Sequence, residues 1–180
     1  MGPLLGLSRG IDALNGAVGK VCAVLCLAAA LISAGNAFWR YLFRDSSNGL
    51  LEIQWYLFSA MFLGAAAYTL LKNEHVRVDV LYGGLSERKK LWLDLVCTVL
   101  FLVPFAGLMT YWCYEYLFLP AWLGNEQSSA PGGLVRWPVK LIPVVGFALL
   151  LLQAFSEIIK HIAALQGEIH IDTSYEKPVQ

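Results

Sequence analysis

Polar and apolar positions along this chain fall into long blocks, not the short periods of a soluble helix or strand. Four stretches carry no Asp, Glu, Lys or Arg: Val21 to Trp39, Ile53 to Leu71, Leu95 to Tyr114 and Leu141 to Ser156, of nineteen, nineteen, twenty and sixteen residues. At about 1.5 Å of rise per residue, such a run comes close to crossing a hydrocarbon core of roughly 30 Å. Charged residues bound each stretch, as expected where a buried charge costs roughly 2.5–3.5 kcal/mol or more. The pattern predicts an all-α membrane protein, a bundle of four transmembrane helices over about residues 18–42, 52–72, 92–116 and 138–160. The last run is short, but Lys140 can snorkel outward and the helix can continue to Ile159.

The connections follow from the same pattern. A polar leader over residues 1–20 holds Arg9, Asp12 and Lys20. A cleavable signal peptide is the alternative reading, with Gly35 and Ala37 at small-residue positions, but the apolar run exceeds the roughly 7 to 15 residues of a signal core and Trp39 and Arg40 follow at once. The turn formers Asp45, Ser46, Ser47 and Asn48 join spans one and two closely, so those spans are antiparallel neighbours. Span two leaves the membrane through Lys72, Asn73, Glu74, His75, Arg77 and Asp79, and the alternation with Val76, Val78 and Val80 predicts a short amphipathic segment between helices 2 and 3. Ser86 caps span three, in which Pro104 should produce a kink. The membrane domain is read over residues 21–162, with a polar tail over 163–180.

Composition changes this picture little. Hydrophobic residues make up 58% of the chain and charged residues 14%, against about 25% charged in soluble domains. With thirteen basic and thirteen acidic residues, nucleic-acid binding has no electrostatic footprint. The basic residues do set an orientation. Arg9, Lys20, Lys72, Arg77, Arg88, Lys89, Lys90, Lys160 and Lys177 fall on one side, and only Arg40, Arg44, Arg136 and Lys140 on the other. Cytoplasmic N- and C-termini follow from the positive-inside rule. Trp39, Trp55, Trp112, Trp122 and Trp137 then lie near outer ends as an aromatic belt, and the connection from Glu115 to Trp137 is the main outer feature.

Candidate chemistry is sparse. The spans hold Asn36, Gln54, Thr110 and Gln153, with Arg40, Glu52, Glu115 and Glu157 near their ends, and no ionisable group near the midplane where a self-sufficient carrier would place one. Asn36 and Arg40, four apart, share a helix face and suit an anion; the blander reading has Asn36 bonding a neighbouring helix and Arg40 reaching headgroups or pairing with Glu52. His75 and Asp79 share the same spacing, but two ligands make no metal site, so none is expected. His75, His161 and His170 lie outside the charge-free runs, which argues against haem. Cys22, Cys26, Cys97 and Cys113 form no CxxC pair and read as small apolar residues. No nucleophile stands at motif spacing from a base, so no enzyme activity, catalytic residue or cofactor is expected.

Several short segments in order carry a family resemblance. They are Arg40-Tyr41, Glu52, Phe62-Leu63-Gly64-Ala65-Ala66, Asn73-Glu74-His75-Val76-Arg77-Val78-Asp79, Trp137-Pro138, Ile142-Pro143 and Gly146-Phe147. Together, over about residues 15–162, the chain resembles the small membrane subunit (DctQ-like) of tripartite ATP-independent periplasmic (TRAP) transporters. The resemblance implies a non-catalytic scaffold in the bacterial inner membrane. It would pair with a large membrane subunit (DctM-like) that binds substrate and sodium, and the pair would receive an organic acid, usually a carboxylate, from a periplasmic binding protein (DctP-like). Under it Arg40, Glu52, Gly64, His75, Arg77, Asp79, Trp137, Pro138 and Pro143 are architectural, and no residue here contacts substrate. Ala60, Gly64 and Ala67 are the candidate face for the large subunit, or else pack span two on span one. Asn125, Glu126, Gln127, Ser128 and Ser129 are the candidate docking loop for the periplasmic protein. The alternatives are a small four-span exporter, which would place a glutamate in the first helix, and a scaffold subunit of another membrane complex.

Overall fold

The computed structural model describes residues 2–45, 47–74 and 84–171. Four helices account for most of them: α1 (Gly2–Phe43), α2 (Asn48–Leu71), α3 (Glu87–Leu123) and α4 (Trp137–Leu165), each long and apolar enough to cross a membrane. No strand occurs among the described residues, and a single antiparallel bridge joins Gln127 to Val135 in the α3–α4 connection. His75, Arg77 and Asp79, with the expected amphipathic segment, lie outside the described residues.

The leader expected over residues 1–20 is not a separate element. It is helical and continuous with the first span, giving α1 42 residues and a length of about 63 Å. The reason is a seven-residue repeat. The most buried positions of α1 are Ser8, Asn15, Cys22 and Asn36, and half-buried Ile11, Val18, Leu25 and Ile32 alternate with them. A 3.5-residue period keeps one seam facing its neighbours over many turns and favours a shallow left-handed crossing. α2 and α4 both pack along this seam, so α1, α2 and α4 form a triangle.

α4 is the centre of the molecule and touches all three other helices, whereas the main contacts of α3 are with α4. The bundle is therefore a three-helix core with one peripheral helix. Small residues close the core. At Gly146 a Cβ would lie 2.7 Å from the Leu63 Cβ and 3.1 Å from its carbonyl oxygen, so α4 touches α2 there backbone to backbone. A Cβ at Gly64 would lie 2.9 Å from the Cys22 side-chain Sγ of α1, and Ala67 and Ala154 are fully buried.

The kink expected at Pro104 takes a particular form. α3 widens into π-helical turns over Thr98–Leu102 and Cys113–Phe118, each placed just before a proline, Pro104 and Pro120. Proline has no N–H and its ring clashes with the carbonyl four residues back; a turn closed by an i→i−5 bond moves that carbonyl away. The Val103 N–H accordingly donates to the Thr98 carbonyl, and the Leu119 N–H to the Tyr114 carbonyl.

Gly146→Ala should force α2 and α4 apart and destabilise the chain by roughly 1–3 kcal/mol, the usual range for overpacking. Gly35→Ala, where an added Cβ meets nothing within 4 Å, should be neutral or stabilise by up to about 1 kcal/mol. Thermal unfolding of the two variants in detergent checks the contrast.

Candidate functional site

The described polar side chains gather at the two ends of the core. At the end formed by the start of α1 and the close of α4, Gln153 is fully buried and uses its whole amide: Nε2 donates to Asp12 Oδ1 at 2.8 Å and Glu157 Oε1 at 2.9 Å, and Oε1 accepts from Asn15 Nδ2 at 2.7 Å. Ser156 Oγ donates to Asp12 Oδ1 at 2.7 Å and lies 2.7 Å from Ser8 Oγ. Lys160 Nζ completes the cluster, 3.2 Å from Asp12 Oδ2 and 2.6 Å from Glu157 Oε1. The buried heptad positions Ser8 and Asn15 thus fix the register of α1 against α4.

At the opposite end the α3–α4 connection folds back onto α2. Glu52, in the first turns of α2, is 8% exposed and holds the connection with both oxygens. Ser128 Oγ donates to Oε1, and the Leu134 N–H donates to Oε2 at 2.6 Å. The Tyr56 hydroxyl donates to the Val135 carbonyl at 3.0 Å, and Asn48 Nδ2 to the Pro131 carbonyl at 2.9 Å. Gly133 passes so close to the carboxylate that a Cβ there would sit 2.8 Å from Glu52 Oε1. Glu126 is bound by Lys140 Nζ and by Arg136 Nη1 at 3.6 Å, and the Lys140 ammonium, followed by Arg136, holds its carboxyl below the usual range.

These contacts redefine several sequence candidates. Glu52 binds Ser128 and Leu134, whereas Arg40 lies exposed at the end of α1, so the Arg40–Glu52 pair does not form. Sequence proximity across the short α1–α2 loop suggested that pair; the true partners come from more than seventy residues away. Asn36 is buried in the α1 seam, so it and Arg40 do not present one polar surface. In the candidate docking loop, Glu126 and Ser128 are turned inward to Lys140 and Glu52, while Asn125, Gln127 and Ser129 are exposed. Ala60, Gly64 and Ala67 face into the core: the Ala60 carbonyl lies 3.9 Å from Cys22 Sγ, and with Gly64 it lines an apolar groove of about 290 Å³ shared with Val18, Cys22, Ile142 and Gly146. Trp137 stacks edge-on against Trp122 with centroids 4.6 Å apart, Pro138 sits in the first turn of α4, and Pro143 lies inside it.

Between the two polar ends the core is apolar. Thr69 and Thr110 donate to carbonyls one turn back in their own helices, Ala65 at 3.0 Å and Ala106 at 2.7 Å. Among the described residues no group of three or more His, Cys, Asp or Glu is placed to hold a metal.

Glu52→Gln should loosen the connection by about 1–3 kcal/mol, because one carboxylate oxygen is replaced by a donor facing a donor; faster amide exchange across residues 124–136 is the readout. Glu126 adds a pH dependence. Its carboxyl is depressed in the fold, so its contribution is present above the ordinary glutamate value of about 4.3 and is lost as pH falls through the depressed one. Protection of the same segment should therefore drop in that acid window, and drop less in Lys140→Met.

No curated protein and no solved structure gave a significant match to the chain. The family model described as tripartite ATP-independent periplasmic transporters, DctQ component, matches residues 29–164, a range that takes in the last third of α1, all of α2 and α3, the clasped α3–α4 connection and all but the last residue of α4. The chain therefore belongs to the DctQ family, the small component of TRAP transporters.

Proposed function

We propose that this chain is the fixed, non-catalytic membrane scaffold of a TRAP transporter, pairing with a large DctM-like subunit for sodium-coupled uptake of an organic acid, most simply a carboxylate. A periplasmic DctP-like protein delivers the acid. The observation that carries this reading, beside family membership, is the distribution of polarity. Most of the described polar side chains of the core lie at its two ends and hold helices and loop together, while Asn36 Oδ1 and Gln54 Nε2 are buried without a hydrogen-bond partner. A carrier with its own coupling site needs ionisable or unwound backbone near the midplane; here that depth is filled by Cys22, Gly64, Ala67, Gly146 and Leu150. Substrate and sodium are accordingly assigned to the large subunit.

In this reading the protein is a multi-pass protein of the bacterial inner membrane. The antiparallel helices put the start of α1, the end of α2, the start of α3 and the end of α4 at one face. The excess of Lys and Arg assigns that face to the cytoplasm. The clasped connection then faces the periplasm, where Asn125, Gln127 and Ser129 are presented for docking on a base held by Glu52. The large subunit packs on outward side chains such as Trp55, Phe58 and Phe62 of α2, which are strongly exposed, since Gly64 and Ala67 are already used inside the core.

Uptake of a labelled carboxylate panel into proteoliposomes with a sodium gradient tests the proposal. Transport is expected only when this chain, the large subunit and the periplasmic protein are all present, and transport by this chain alone overturns it. Replacing Asn125, Gln127 and Ser129 together by Ala should lower uptake about tenfold without separating the two membrane subunits, if the loop contributes about 1.4 kcal/mol to docking.

A further inference from the structure

At the inner end of the core α2, α3 and α4 line a half-open cavity of about 160 Å³, formed by Leu70 and Asn73, by Asp94, Cys97 and Thr98, and by Glu157 and His161. His161 is 8% exposed and sits directly between α4 and α3. Its Nδ1 is 2.7 Å from the Glu157 carbonyl oxygen, and its Nε2 is 3.9 Å from Asp94 Oδ2. A carbonyl only accepts, so the proton of the neutral ring is on Nδ1. Nε2 then presents a lone pair to a carboxylate, acceptor facing acceptor. A second proton, taken from water through the cavity, turns that contact into an N–H donor facing an anion.

Charged groups of both signs stand around the ring and its neighbours. On α4, Glu157 lies one turn before the ring, with Lys160 bonded to it; on α1, Asp12 binds the same Lys160; on α3, Lys90 stands one turn before Asp94; at the end of α2 are Lys72 and Asn73. Asp12 and Glu157 thus hold one lysine, and Asp94 faces the ring. The contact also falls where it has mechanical effect, because α3 packs chiefly on α4 and its first widened turn begins at Thr98, four residues after Asp94.

We propose that His161 and Asp94 form a pH-sensitive clamp between α4 and the inner end of α3. Protonation of His161 at Nε2 closes the clamp, and deprotonation releases the first turns of α3. The sign follows from the contact: it is strongest below the titration of the ring, whose ordinary value is about 6.5, and weakens as pH rises through it.

Amide exchange of residues 91–102 in the full chain, reconstituted in nanodiscs and corrected for intrinsic rates, measures the clamp. Between pH 8 and pH 5.5 protection should rise roughly threefold, the scale of one partly exposed ion pair. His161→Gln and Asp94→Asn should each abolish the rise, and the double variant should match either single one. No rise in the unaltered chain, or a rise that persists in His161→Gln, overturns the proposal. Imidazole ¹⁵N shifts of the unaltered chain give an answer that needs no variant. A neutral His161 protonated on Nδ1 supports the clamp, and one protonated on Nε2 refutes it.

Discussion

Hydrocarbon offers no hydrogen bond, and most of this structure follows from that constraint. A polar side chain in a membrane helix must find its partner within the protein or reach the headgroups. Here the described partners are concentrated in two clusters, one at each end of the core. Gln153 shows what this requires: its amide reaches Asn15, Asp12 and Glu157, and it is wholly shielded from solvent. Between the clusters, association rests on close packing of small residues, because lipid chains are as apolar as leucine and give helices no hydrophobic reason to pair.

The two clusters do different work. The one at the start of α1 joins helix to helix through side chains, and because Ser8 and Asn15 are seven apart it fixes both the rotation and the register of α1 on α4. The one at the start of α2 joins a loop to helices, with Glu52 acting as an anchor for the Ser128 hydroxyl and the Leu134 N–H. Removing one partner from such a set leaves others buried and unpaired, so each cluster specifies one arrangement more strongly than it stabilises it.

The four spans are legible in the sequence because charge is excluded from hydrocarbon, and the charge-free runs locate them well. What is not legible has physical causes. Arg9, Asp12 and Lys20 make the first twenty residues look like a soluble leader, yet Asp12 is held by Lys160, Gln153 and Ser156, and the seven-residue spacing of Ser8, Asn15 and Cys22 is the signal that the helix continues. The partner of Glu52 lies beyond sequence reasoning, since the connection that supplies Ser128 and Leu134 returns from the far side of α3. Pro104 marks an irregularity, but whether the helix bends or widens depends on the carbonyls around it, and Pro120 falls past the charge-free run where no irregularity is expected.

α3 departs from this design, and its departure follows from its neighbours. α1, α2 and α4 brace one another in a triangle, so a shift of one is opposed by two others. α3 leans chiefly on α4 and contains two turns closed by i→i−5 bonds. Such a turn keeps its backbone groups bonded, as the membrane demands, while moving the helix axis off the ideal path. The chain therefore combines a triangle of mutually braced helices, which sets where its polar ends lie, with one spanning helix that leans chiefly on a single neighbour. A shift of α3 would disturb chiefly one packed seam, whereas a shift of any other helix would disturb at least two.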